Sequence, residues 1–163
     1  MDATATEVTV TVQLSRGTLF RAILEKQIRS WTYWITPLLI AAALLLNLRH
    51  NPFAAITAPF AVMLFLLAMP YNATRASLKN PGLRDPITYT FNDLTVTAKF
   101  SNGENRADWS LVTGAFETSN YLFVLMQRGS FHLIPKQQID EFQLHSLRQL
   151  LRHQLGPKAR RLR

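Results

Sequence analysis

Four histidines, His50, His132, His145 and His153, are the side chains best suited to metal binding or proton transfer, and none has the company either role needs. No pair stands at i, i+4, so no HExxH helix offers two imidazoles on one face. With no cysteine, no thiolate can complete a ligand set. His145 and His153 lie two helical turns apart and read as solvated positions on a basic face. Ser110, His132 and Asp108 provide the side-chain types of a nucleophile, a base and its orienter, yet nothing in their spacing orders the three. Asp140-Glu141 resembles a carboxylate pair, but at the start of a helix the pair is better explained by the helix dipole. No GxSxG, Walker loop or GxGxxG occurs, and six glycines are too few for phosphate cradles. The sequence therefore predicts no catalytic residue, no cofactor, no metal and no enzyme.

The remaining signal is charge. The net charge is +8, and Lys158, Arg160, Arg161 and Arg163 form a basic C-terminal tail. With Arg148 and Arg152 just before it, the tail supplies candidate contacts to anionic lipid headgroups. Each such cation gains about 1 kcal/mol near an anionic leaflet. A solvated tail that only sets orientation is an equal reading. Nucleic acid is a weaker partner, because the tail lacks interleaved aromatics for stacking. Trp109 and Tyr121 are candidate contacts to a protein partner, set against plain core packing.

Two apolar stretches dominate the first half. Residues 30–48 and 51–74 carry no acidic or basic side chain before Arg75, and only Arg49 and His50 separate them. From Trp31 to Leu48 a helix reaches roughly 27 Å, near the roughly 30 Å hydrocarbon core. The expectation is a membrane hairpin, with spans at 31–48 and 52–71 and a turn at Arg49–Asn51. Arg16, Arg21, Lys26 and Arg29 before it, and Arg75, Lys79 and Arg84 after it, place both termini in the cytoplasm by the positive-inside rule. Pro37 and Pro59 should bend the helices. Neither span holds an ionisable group, which favours an anchor over a conduit.

From Pro86 the period becomes two. Ile87, Tyr89 and Phe91 alternate with threonines, and Leu94, Val96, Ala98 and Phe100 follow after Asn92-Asp93, alternating with Thr95, Thr97 and Lys99. Asn102-Gly103 signals a tight turn, with a short strand expected over Arg106–Trp109. Strands over Val112–Thr118, Tyr121–Gln127 and Ser130–Ile134 continue an antiparallel meander. A helix from about Gln138 to Leu155 should close it, with Ile139, Phe142, Leu147, Leu150, Leu151 and Leu155 on its apolar face and Gly156-Pro157 ending it. Val8, Val10, Val12 and Leu14 alternate in the same way, so residues 1–15 hold a strand that either joins this sheet or pairs with a partner. Residues 16–30 become an amphipathic connector with Phe20, Leu24, Ile28 and Trp31 on one face.

The fold class expected is a membrane α-helical hairpin plus a small α+β domain over 86–155. That domain is a meander of about six or seven strands closed by a C-terminal helix, with residues 156–163 as a basic tail. Seven strands and a capping helix resemble the pleckstrin-homology-like superfold. Tyr89-Thr90-Phe91, the Asn102-Gly103 turn, Trp109, Glu117, Tyr121 and Ile134-Pro135-Lys136 resemble more narrowly the bacterial YcxB-like family. Ile139 stands where that family tends to place an aromatic residue. The resemblance implies a bacterial inner-membrane protein with two spans and a cytoplasmic domain, and it brings no reaction with it. The function expected is a membrane-anchored interaction module that presents this domain to a protein partner, to a second copy or to anionic lipid. The alternative is an accessory subunit of a transport or export system with functional kinked helices.

Overall fold

Valine and threonine alternate along strand β1 (Val8–Val12), and burial follows them, with the valines inside and the threonines outside. Such burial needs a paired neighbour and a core beneath it. In the computed structural model, which describes residues 7–46, 53–79, 81–83, 85–160 and 162, that neighbour is β2 (Ile87–Phe91). The pair is antiparallel, with Val10 opposite Tyr89. Residues Met1–Ser15 and Asn80–Arg163 make one compact unit, and Arg16–Lys79 makes a second.

In the first unit β2 pairs with β3 (Thr95–Phe100) and β3 with β4 (Gly103–Asp108), giving a four-stranded sheet of order β1-β2-β3-β4. Asn92 builds the β2–β3 turn. Its side-chain oxygen accepts the backbone N–H of Leu94 at 3.0 Å and of Thr95 at 2.7 Å. The chain then leaves this sheet through one 3₁₀ turn, Trp109–Leu111. A second four-stranded sheet follows, in the order β7-β6-β5-β8. Its strands are β5 (Val112–Glu117), β6 (Tyr121–Met126), β7 (Phe131–Pro135) and β8 (Ala159–Arg160), and only β8 runs parallel to its neighbour. The last helix of this unit, Glu141–Leu155, buries Leu147, Leu150, Leu151 and Leu155. Asp140 caps it by accepting the Gln143 N–H at 2.7 Å, and the Gln143 side chain returns to the Asp140 N–H.

These strands do not form the single closed meander expected. Seven antiparallel strands are divided between two sheets that stay open, because the turn at Trp109–Leu111 carries the chain off the edge of β3 and β4, and β5 pairs with β6 instead. The pleckstrin-homology-like closure is thereby corrected. The strand expected over Arg106–Trp109 begins at Gly103. Phe142, placed on the apolar face of the helix, is 81% exposed, since it stands in the first turn, directly after the cap.

The second unit is helical: α1 (Arg16–Ile28), α2 (Trp31–Leu46) and α3 (Ala54–Ser77). Helix α1 buries Leu19, Ala22 and Ile23 rather than the face expected, and Ile28 and Trp31 are exposed. Pro70 has no N–H to offer the Leu66 carbonyl one turn back, and the Tyr33 hydroxyl of α2 donates to that carbonyl instead, at 2.6 Å. The membrane hairpin is not upheld. The described part of helix α2, Trp31–Leu46, has 16 residues, and at about 1.5 Å per residue it covers about 24 Å of a roughly 30 Å core. Helix α3 is longer, but it contains Pro59 and Pro70 and its last two turns carry Asn72, Thr74, Arg75 and Ser77. Among the described residues no helix is long and apolar enough to cross a membrane. The turn expected at Arg49–Asn51 lies outside the described residues. With the earlier helical run numbered α1–α3, the Glu141–Leu155 helix is α4.

Candidate functional site

The site is assembled at the end of β5. Glu117, its last residue, is buried with its side chain 3% exposed, and a buried carboxylate must be paired. Lys136, reached directly from β7, donates to one oxygen at 2.7 Å. Arg148 of α4 grips both, with Nη2 at 2.6 Å from Oε1 and Nε at 3.0 Å from Oε2. This fork matches the carboxylate geometry and ties β5, β7 and α4 together. The hydrogen bond to Glu117 holds the Arg148 guanidinium above its ordinary pKa, with burial opposing and the Glu117 and Glu141 charges adding to it. Both carboxylate oxygens are engaged, so the cluster is a tie between elements.

One helical turn on from Arg148, Arg152 donates from Nη2 to the carbonyl oxygen of Leu162 at 2.5 Å, and Leu162 is itself buried. Between them the chain turns at Gly156, whose φ of 52° suits glycine, and passes Pro157 and Lys158. It then pairs with β5, Ala159 against Ala115 and Arg160 against Phe116. We call Pro157–Arg160 together with Leu162 the strap.

The strap fits because of Gly114. A Cβ there would lie 3.0 Å from the Lys158 carbonyl oxygen, so any side chain would push the two backbones apart by a few tenths of an ångström. The register of β5 against β6 shifts between Val112 and Gly114, and the Thr113 hydroxyl donates to the Leu125 carbonyl at 3.3 Å across the irregularity. Beside it opens a groove of about 380 Å³ lined by Thr113–Phe116, Leu125, Pro157 and Lys158.

The other strand edges differ. Along β1 and just beyond it, the Gln143 side chain donates to the Thr9 carbonyl at 3.1 Å, and Gln138 both accepts from and donates to the Gln13 backbone. In β7 the Leu133 backbone is hydrogen-bonded to Tyr89. The edge strand β4 exposes Glu104, Arg106 and Asp108, and charges of this kind resist strand addition. In β5 the strap covers two of six residues.

Of the candidate lipid contacts, Arg148 is engaged by Glu117, and Arg152, exposed on α4, donates to the Leu162 carbonyl. Lys158 is exposed, the Arg160 backbone lies in β8, and Arg161 and Arg163 fall outside the described residues. Tyr121 is buried at the start of β6, and Trp109 is half-buried, its indole N–H donating to the Asn92 carbonyl at 2.8 Å. Ser110, His132 and Asp108 make no hydrogen bond to one another among the described residues. His132 packs against Tyr89 with ring centroids 5.0 Å apart, and burial pushes its pKa down to about 4 while it raises that of Tyr89. Among the described residues no three His, Asp or Glu side chains are grouped as a metal site would need. Sequence reasoning missed Gly114. The signal was there, since an isolated glycine inside a strand marks a bulge or a close backbone approach.

Residues 91–151, less than half of the chain, match the family described as YcxB-like protein. The match runs from the end of β2 into α4 and contains the whole Glu117–Lys136–Arg148 cluster. It does not reach α1–α3. The two-span inner-membrane protein expected alongside that likeness, with the bilayer as partner and its termini in the cytoplasm, is corrected by the helices described above. Searches of curated proteins and of solved structures return no match.

Proposed function

We propose that the β unit is a non-catalytic binding module that takes an extended chain segment onto the edge of β5. The observation that carries this reading is β8 itself, a short strand already seated in parallel on that edge beside an open groove. Strand addition draws affinity from main-chain hydrogen bonds and specificity from the pockets that alternate side chains meet. The strap states what fits: a carbonyl over Gly114, a small residue against Ala115 and an apolar residue three positions further on, as in Ala159 and Leu162. Non-catalytic action is supported by the chemistry of the buried groups. The oxygens of Glu117 are both occupied by cations, and His132 is held neutral against Tyr89.

The test uses the full chain with Ala159→Asp and Leu162→Asp, which alter the strap and leave β5 and Arg152 intact. Release of the strap is read from fast amide exchange over residues 158–162. A fluorescein-labelled peptide with the natural sequence of residues 156–163 should then bind saturably by fluorescence anisotropy. Adding Gly114→Val should abolish binding. A released chain that gives no saturable signal, or a Gly114→Val form that binds as tightly, refutes the proposal.

A further inference from the structure

We infer that the strap, Pro157–Arg160 with Leu162, gates the β5 edge in cis, so that an incoming segment must displace it. The inference rests on the reading of β5 as an acceptor edge and concerns its regulation. Among the described residues the strap is held by the Lys158 carbonyl in the Gly114 notch, the two-residue ladder to Ala115 and Phe116, and buried Leu162 with its carbonyl on Arg152. Each is small. A two-residue strand is too short to be stable alone, and segments held by few buried contacts open at the low end of the local stability range.

The site beneath the strap is held far more firmly. At its other margin β5 is paired with β6 from Val112 to Glu117, and Glu117 is locked by Arg148 and Lys136. Arg148 and Arg152 are neighbours one turn apart on α4, but Arg148 meets a buried carboxylate and Arg152 a neutral carbonyl. Charge on both partners makes the first bond the stronger. The strap therefore leaves while β5 stays in place, as a gate requires. Competition sets the size of the effect, since a tethered segment acts at an effective concentration of about millimolar.

The experiment compares the unmodified full chain with the Ala159→Asp/Leu162→Asp chain, using the same labelled peptide of residues 156–163. The released chain should bind at least about tenfold more tightly, the cis strap being a millimolar-scale competitor in the other. Equal, measurable affinity for the two overturns the gate and leaves the acceptor reading standing. No binding to either overturns the acceptor reading itself. A second measurement needs no variant. In isotope-labelled unmodified protein, excess unlabelled peptide should move the Ala159, Arg160 and Leu162 amide resonances to unstructured positions, while those of β6 hold. If the strap resonances stay in place while the peptide binds, the gate is wrong.

Discussion

Replacing Glu117 with Gln should be the most damaging single change in the β unit that leaves side-chain size almost constant. The carboxylate is 3% exposed, and its two cations, Lys136 and Arg148, are 20% and 18% exposed. Removing the anion leaves two partly buried positive charges facing a neutral amide. Breaking a fully buried pair costs about 3–5 kcal/mol. Both cations here retain some contact with water, which lowers the expectation to about 2–4 kcal/mol. The pattern across variants is more telling than any one value. Lys136→Met keeps the bidentate Arg148 fork and should cost about 1 kcal/mol, near the worth of one hydrogen bond. Arg148→Met removes both bonds of the fork and should fall between the two. Replacing all three together with Leu, Met and Met should come within about 1 kcal/mol of the natural protein, because desolvation of the charges vanishes with their attraction. Urea unfolding followed by tryptophan fluorescence gives each value from the midpoint at constant slope. A Glu117→Gln chain within about 1 kcal/mol of the parent, or a Lys136→Met chain as unstable as Glu117→Gln, would refute this account.

Two further outcomes follow from buried polar groups. His132 has its folded pKa depressed to about 4, against about 6.5 unfolded, so its contribution is fully present above about pH 6.5 and is lost as pH falls toward 4. That amounts to about 2 kcal/mol between pH 7.5 and pH 5. His132→Phe should remove that part of the slope in urea melts across this range, and an unchanged slope would count against the burial argument. In the helical unit, Tyr33→Phe should cost about 1 kcal/mol by leaving the Leu66 carbonyl without its donor. The cost should shrink toward zero in a Pro70→Ala background, where residue 70 regains an N–H one turn on. Thermal melts of the four chains measure the coupling, and additive effects would exclude the compensation.

The strands of the first sheet were legible where one face is buried and the other wet. Val8, Val10 and Val12, and likewise Ile87, Tyr89 and Phe91, alternate with threonine because the sheet has one core face. Strand β4 was misjudged for the same physical reason. In Gly103–Asp108 only Ala107 is buried, so an edge strand of Glu, Asn, Arg and Asp carries no apolar alternation to read. The break between sheets was hidden as well, since the two residues Ser110-Leu111 between expected strands look like one more hairpin connection, when Trp109–Leu111 is the 3₁₀ turn between two sheets. The apolar run after residue 30 announced helices correctly, but composition over a window does not reveal that the last turns of α3 are polar.

The site was illegible for a different reason: its parts are polar or small, and distant in sequence. Arg148 lies 31 residues from Glu117, and nothing local to either shows that one is buried beneath the other. An arginine on a helix near a basic tail reads as a surface charge until the fold supplies its anion. Arg152 lies only 10 residues from Leu162, yet its partner is a backbone carbonyl, which no side-chain pattern encodes. The two arginines thus take opposite parts from one helix face. Arg148 holds β5 through a largely buried ion pair, and Arg152 donates a single bond to the neutral Leu162 carbonyl. Denaturant should separate them, since a short segment held by few contacts opens at a lower free energy than a fully paired strand. A low urea concentration should therefore loosen the strap before it weakens β5. Amide exchange that accelerated equally in both would mean that strap and strand open as one element, and a gate built from the strap alone would be ruled out.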